Sequence, residues 1–388
     1  MIDIKNPLQR NFLVILISLL SAFSYSQNNR FWSEKSTDLV DMVILQSKEN
    51  NPSEYLLFEL NLQLLQDRLA QAPSRRNANF NSGIVIDFPN TNGQLEKYRV
   101  LEASIMHPDL QENYPNIRSY KGQSTSNPLN TIRFSISPQG LSSINFSDKG
   151  ISYIENYENN LYLVFDKNNI NVDFIDFNCL VEDSSMDIET SNTYQRNADD
   201  GLLREFRLAI SCTEEYANYH VLQAGVSGGT DAEKKAAVLA EMNDVMTRVN
   251  AVYENELSIT MTLVPNNDFI IFLSSPFYDN DNFPVLIDQS QQVIDTFIGT
   301  GNYDIGHTVN TGGGGLAQVS SACSSTGKAR GVTGTSSPSG YVFESILMHE
   351  LGHQFGSRHT FNGDTVGCNG NRTASSAYEA GSGKTIMS

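Results

Sequence analysis

The stretch His349-Glu350-Leu351-Gly352-His353-Gln354-Phe355-Gly356-Ser357-Arg358-His359 sets three imidazoles, a carboxylate and a glycine at a spacing that can hold a catalytic zinc ion. On an α-helix, residues four apart share a face, so His349 and His353 can aim a ring nitrogen at one ion. Glu350 is turned by about 100° from His349. That puts it beside the ion, where a carboxylate can take a proton from a polarised water. Gly356 accepts the left-handed conformation that closes a helix, and the chain can then swing round to bring in His359 as a third ligand. Three protein ligands leave a fourth position open, as in catalytic zinc sites; structural sites are closed by four.

His-Glu-x-x-His alone recurs by chance. With 27 glycines and six histidines in 388 residues, also requiring Gly at the eighth position and His at the eleventh makes a chance match roughly a thousandfold rarer. The remaining histidines, His107, His220 and His307, have no partners at ligand spacing and read as structural or surface residues.

The eleven-residue pattern, with Met387 in Lys384-Thr385-Ile386-Met387-Ser388 downstream, resembles the metzincin zinc endopeptidases with their Met-turn. Within them, the stretch from Leu203 to Ser388 is most similar to secreted bacterial reprolysin-like (adamalysin-like) proteases. Gly312-Gly313-Gly314-Gly315-Leu316-Ala317 ahead of the helix and Ala377-Tyr378-Glu379-Ala380-Gly381-Ser382-Gly383 ahead of the methionine carry that likeness. One position departs from it: adamalysins have Asp after the third histidine, and here Thr360 stands there.

The resemblance implies an α/β (α+β) catalytic domain with a twisted, mostly parallel sheet, an active-site helix, and an antiparallel edge strand at Gly315, Leu316 and Ala317. Such an edge can pair with an extended peptide. It further implies one catalytic zinc on His349, His353 and His359, with Glu350 as general base in peptide-bond hydrolysis, Gly356 as the helix-ending turn and Met387 as the Met-turn. It leaves room for a structural calcium, to which no residue points. Metzincin prodomains commonly present a cysteine to the zinc, and Cys179 is the candidate for such a switch. Its flanks, Asp176-Phe177-Asn178 and Leu180-Val181-Glu182, match no family's switch motif. A bridge to Cys212 or a buried thiol is the competing reading.

The elements around the site read as leader, β-rich prodomain, linker and catalytic domain. Residues 1–26 have the build of a signal peptide: Lys5 and Arg10, the apolar run Phe12 to Phe23, and small residues at Ser24 and Ser26. Without them the chain has 24 basic and 43 acidic groups, a net charge of −19. An acidic surface of this size argues against nucleic acid and anionic membranes as partners; the resemblance implies a protein or peptide substrate, and the leader places it outside the cell. Cys179, Cys212, Cys323 and Cys368 suit an exported enzyme with one or two bridges, in a pairing that sequence leaves open. The chain stops one residue after Met387, where relatives continue, so the catalytic domain is expected to lack its C-terminal end.

Residues 27–183 carry a helical pattern at Leu62, Leu64, Leu65 and Leu69, and then short alternating runs at Ser82–Phe88, Lys97–Met106, Thr131–Ile136 and Leu161–Asp166, the mark of antiparallel β structure. Residues 184–201 are polar and turn-rich, a linker in which Arg196 is a candidate for activation cleavage. From 202 to 388 strands and helices alternate. Strands are expected at Glu205–Cys212, Ile259–Val264, Phe269–Leu273, Tyr303–Val309 and Leu316–Val319, and helices at Asp231–Leu257, Ser290–Ile298 and Tyr341–Phe355. The glycine run Gly312 to Gly315 lacks the Lys-Ser/Thr of a phosphate-binding loop and reads as the lead-in to the edge strand. Two competing functions remain: an adhesion or binding protein that keeps zinc for structure alone, and an inert truncated fragment.

Overall fold

The computed structural model describes residues 30–171, 179–180, 200–274, 277–365 and 368–388. The expected leader and nearly all of the expected linker, with Arg196, lie outside the described residues.

The N-terminal part is a nine-stranded antiparallel sheet built from β1 (Trp32–Lys35), β2 (Leu56–Leu60), β3 (Ile84–Pro89), β4 (Leu95–Glu102), β5 (Arg118–Ser124), β6 (Thr131–Ser137), β7 (Gly140–Ser147), β8 (Gly150–Glu158) and β9 (Leu161–Asp166). Its order is β1-β2-β9-β8-β7-β6-β5-β4-β3. Short helices α1 (Met42–Gln46), α2 (Leu62–Leu69) and α3 (Pro108–Asn113) interrupt it. The period-2 alternation has both faces covered. On β6, Ile132, Phe134 and Ile136 join an apolar core around Trp32, Phe88 and Tyr162. The alternate residues, Arg133 and Ser135, point the other way and meet the C-terminal part.

That second part contains β10 (Arg204–Cys212), α4 (Glu214–Gln223), α5 (Asp231–Leu257), β11 (Ile259–Leu263), α6 (Phe283–Phe297), β12 (Ile305–Asn310), β13 (Gly314–Ala317), β14 (Gly331–Gly334) and α7 (Gly340–Gln354). The sheet order is β11-β10-β12-β14-β13. Three neighbouring pairs are parallel, and only β13 runs antiparallel, against β14. Helix α5 starts with a capping box in which Thr230 and Glu233 each bond the other's backbone N–H, and it ends on Ser258 in the left-handed region.

Helix α5 is the seam between the two sheets. Asn243 and Thr247 meet Ser119, Asp244 meets Ser135, and Arg248 pairs with Glu155. Two backbone bonds link Ile105 and His107 to Leu263, laying the N-terminal chain along the β11 edge. Ile105, Met106, Leu110 and Ile117 are thereby buried in the same core as Val245, Val249 and Leu351. Among the described residues, no helix is long and apolar enough to cross a membrane.

Three expectations need correction. Phe269–Leu273 is not a strand: a 3-10 turn occupies Asn267–Ile270, followed by a single bridge from Ile271 to Cys212. Asn267 is the cause, since its amide bonds both the N–H and the C=O of Ile210 and so takes the place a strand would fill. Helix α6 begins at Phe283 rather than Ser290, with Pro284 in its first turn. No disulfide forms among the described residues. Cys212 is sealed in the core, its thiol pushed up to about 12 by burial, whereas Cys323 is exposed and Cys179 faces the histidines.

Candidate metal centre

Helix α7 is apolar nearly all round because it is covered on all sides, every residue from Ile346 to Gln354 being buried. The N-terminal part helps to start it: Asn50 accepts the N–H of Tyr341 at 2.7 Å. At its end Gly356, with φ +104°, makes a Schellman closure. The N–H of Gly356 bonds the His353 carbonyl at 2.8 Å and that of Ser357 the Gly352 carbonyl at 2.9 Å. The β13–β14 loop adds its own N–H groups at this end, Ser320 on the His353 carbonyl and Ala322 on that of Gln354, each at 2.9 Å. The amide of Gln354 also ties the helix end to the sheet through buried His307 at 2.8 Å, and His307 meets Thr333 at 2.9 Å. Of the three histidines without ligand spacing, His220 and His307 are thus core residues, and His107 caps α3.

The Schellman turn brings His359 back to His349 and His353. Their Nε2 atoms lie 3.0 Å (His353 to His349) and 3.3 Å (His359 to His349) apart. Each Nδ1 faces a backbone carbonyl: Ile386 at 2.6 Å from His349, Ser357 at 2.9 Å from His353, and Asn371 at 2.9 Å from His359. A carbonyl only accepts, so each Nδ1 carries the proton and each Nε2 presents a lone pair. Three lone pairs at this range cannot bond one another. They fit one shared cation: Zn–N bonds of about 2.05 Å at tetrahedral angles put the nitrogens about 3.3 Å apart.

Cys179 supplies a fourth donor. Its buried sulfur lies 3.5 Å from Nε2 of His353, close to the S···N separation of about 3.5 Å across a tetrahedral zinc. All four ligand atoms lie within 4.8 Å of one another. Backbone contacts hold the cysteine there: Leu180 N–H bonds the Gly315 carbonyl at 3.1 Å, and the Asn371 amide donates to the Cys179 carbonyl at 3.2 Å. Cys179 and Gly315 form a parallel bridge, so this segment lies on the edge strand β13.

Glu350 is fully buried beside the ligands, with the Cys179 thiol as its neighbour. Burial pushes its pKa well up, and a hydrogen bond from the Cys179 thiol pulls the other way. Room for it comes from Gly315, where a Cβ would stand 2.3 Å from Glu350 Oε1. Met387 lies against Gly352, where a Cβ would be 2.6 Å from its sulfur.

The structure thus brings His349, His353, His359, Glu350, Met387, Gly315 and Cys179 to one place, with Leu316 and Ala317 continuing the edge strand. The orienting carbonyls of Ser357, Asn371 and Ile386 had no signal in sequence, since every residue has a carbonyl. No curated protein matches the chain. Residues 239–360 match the family described as metallo-peptidase family M12B, reprolysin-like. Zinc is the metal that this family implies, and protein or peptide the substrate. The match runs from the first half of α5 to one residue past His359, so the chain carries a reprolysin-like M12B metallopeptidase domain at residues 239–360.

Proposed function

We propose that the protein is a secreted, zinc-dependent endopeptidase made in a latent form. The observation that carries this reading is the set of convergent Nε2 lone pairs beside a fully buried carboxylate. Zinc bound there supplies Lewis acidity, polarising a scissile carbonyl and lowering the pKa of water. Glu350 takes the proton from the attacking water and returns it to the leaving amine. The three backbone carbonyls fix the imidazole tautomers and ring directions. An adhesion protein with a purely structural ion has no use for Glu350, because a fully buried carboxylate is costly unless chemistry needs it.

Latency rests on Cys179. Its thiol fills the fourth corner and its backbone occupies the strand edge that an extended substrate needs, so the same segment shuts out both water and peptide. On this reading residues 27–183 are a prodomain, 184–201 the linker cut on activation, and 202–388 the catalytic domain, exported under the leader at 1–26. Replacing Glu350 by Gln should leave zinc bound and lower peptide hydrolysis by about 10²–10⁴-fold. Undiminished turnover would remove Glu350 from the mechanism.

A further inference from the structure

Thr360 stands where the resemblance places an aspartate, and its hydroxyl leads to another acid. Thr360 Oγ1 donates to Glu379 Oε1 at 2.5 Å, and Thr385 Oγ1 donates to the same oxygen at 2.5 Å. The other oxygen, Oε2, accepts the N–H groups of Lys384 at 2.7 Å and Thr385 at 3.2 Å. Four hydrogen bonds converge on one carboxylate. Backbone bonds run alongside: Glu379 N–H to the Thr360 carbonyl at 2.9 Å, and Thr360 N–H to the Met387 carbonyl at 3.0 Å.

Both segments joined here carry the metal site. Thr360 follows directly on His359. The turn made by Lys384 to Met387 presents the Ile386 carbonyl to Nδ1 of His349 and lays Met387 under Gly352. A carboxylate holding both segments therefore fixes two ligands at once, one through the chain and one through the carbonyl that orients its ring.

We infer that Glu379 is a positioning residue of the metal centre and that Thr360 is its partner: the carboxylate expected at position 360 is supplied from position 379 instead. Second-layer partners of this kind typically change metal affinity by about 10–100-fold. Glutamine is the discriminating replacement. It keeps the shape but removes the charge: with its amide oxygen on the N–H groups of Lys384 and Thr385, its NH₂ faces the Thr360 and Thr385 hydroxyls, which must turn from donating to accepting.

The inference rests on the zinc reading, and the test separates the two. Zinc affinity of the full chain is measured by competition with a chelator for the wild type, Glu379→Gln, Thr360→Val and Thr360→Ser, together with the visible spectrum of the cobalt-loaded proteins and the melting of the metal-free ones. Glu379→Gln and Thr360→Val should bind zinc about 10–100-fold more weakly with an altered cobalt spectrum, Thr360→Ser should match the wild type, and the metal-free proteins should melt together. Wild-type affinity and spectrum in Glu379→Gln would overturn the inference. So would a metal-free Glu379→Gln protein that melts well below the wild type, since the carboxylate would then only hold the fold. A wild type that binds no zinc would instead defeat the reading of the site, and this inference with it.

Discussion

Replacing Glu254 by Gln tests the charge that joins the antiparallel sheet to helix α5. Its side chain is 9% exposed and faces three cations from the sheet side: Arg75 at 2.6 Å, Lys121 at 3.5 Å, and Arg133. Burial alone would raise the Glu254 pKa. Arg133, Arg75 and Lys121 override it and hold the carboxyl down to about 2, from an ordinary 4.5. That displacement corresponds to about 3 kcal/mol of folding stability, in line with the 3–5 kcal/mol typical of breaking a buried ion pair. The same cluster pushes Lys121 down, by burial first and then by Arg133. The figure is therefore what removing the carboxylate costs, leaving three cations uncompensated, and not the net worth of the cluster.

The direction with pH follows from linkage. A depressed carboxyl pKa contributes stability that is fully present above about 4.5 and is lost as pH falls towards about 2. Urea unfolding should find Glu254→Gln about 3 kcal/mol less stable than the wild type at pH 7, with the gap closing steadily between pH 4.5 and 2. A gap under about 0.5 kcal/mol at pH 7, the size of an ordinary surface change, would refute the reasoning. A gap that stays constant down to the acid limit would refute it equally.

Two further changes probe the site and the seam. Gly315→Ala puts a Cβ 2.3 Å from Glu350 Oε1, so zinc should remain while peptide turnover, read in a Cys179→Ser background, falls at least about tenfold; zinc loss with unchanged turnover per bound ion would contradict this. Glu344, fully buried, has its pKa raised to about 8 by burial against the opposing pull of Arg248. The folded protein thus holds a proton that the unfolded chain releases, and stability drains as pH rises from about 4.5 to about 8. Glu344→Gln should gain on the wild type across that window, by about 4 kcal/mol at the upper bound, and an equal difference at pH 5 and pH 9 would reject the assignment.

What could be read in sequence follows the range of the interactions. Helix α5 was legible because its apolar stripe and its Thr230 cap are local. The ligands were legible because four-residue spacing on a helix is geometry, even though α7, buried on all sides, shows no amphipathic stripe. Strand β14, Gly331-Val332-Thr333-Gly334, escaped notice. Glycine is a poor strand signal, and Gly331 is required by neighbours far off in the chain: a Cβ there would stand 2.4 Å from Gln354 Oε1 and 2.6 Å from His307 Nδ1. Helix α4 does carry a local signal, Thr213 as cap with Glu214 and Glu215 in the first turn. The cysteine count suggested bridges because counting cannot see that four thiols are placed apart. Cys179 entered only through resemblance, and its approach to the histidines depends on pairing with Gly315.

The most direct test of the account is the full chain carrying Cys179→Ser, assayed for bound zinc and for cleavage of a denatured protein, before and after a chelator and again after zinc is restored. The account predicts about one zinc per chain, hydrolysis that the wild-type chain lacks until its linker is cut, loss of that hydrolysis with the metal, and its return with zinc. A zinc-loaded Cys179→Ser protein that cleaves nothing, or hydrolysis that survives removal of the metal, would contradict it.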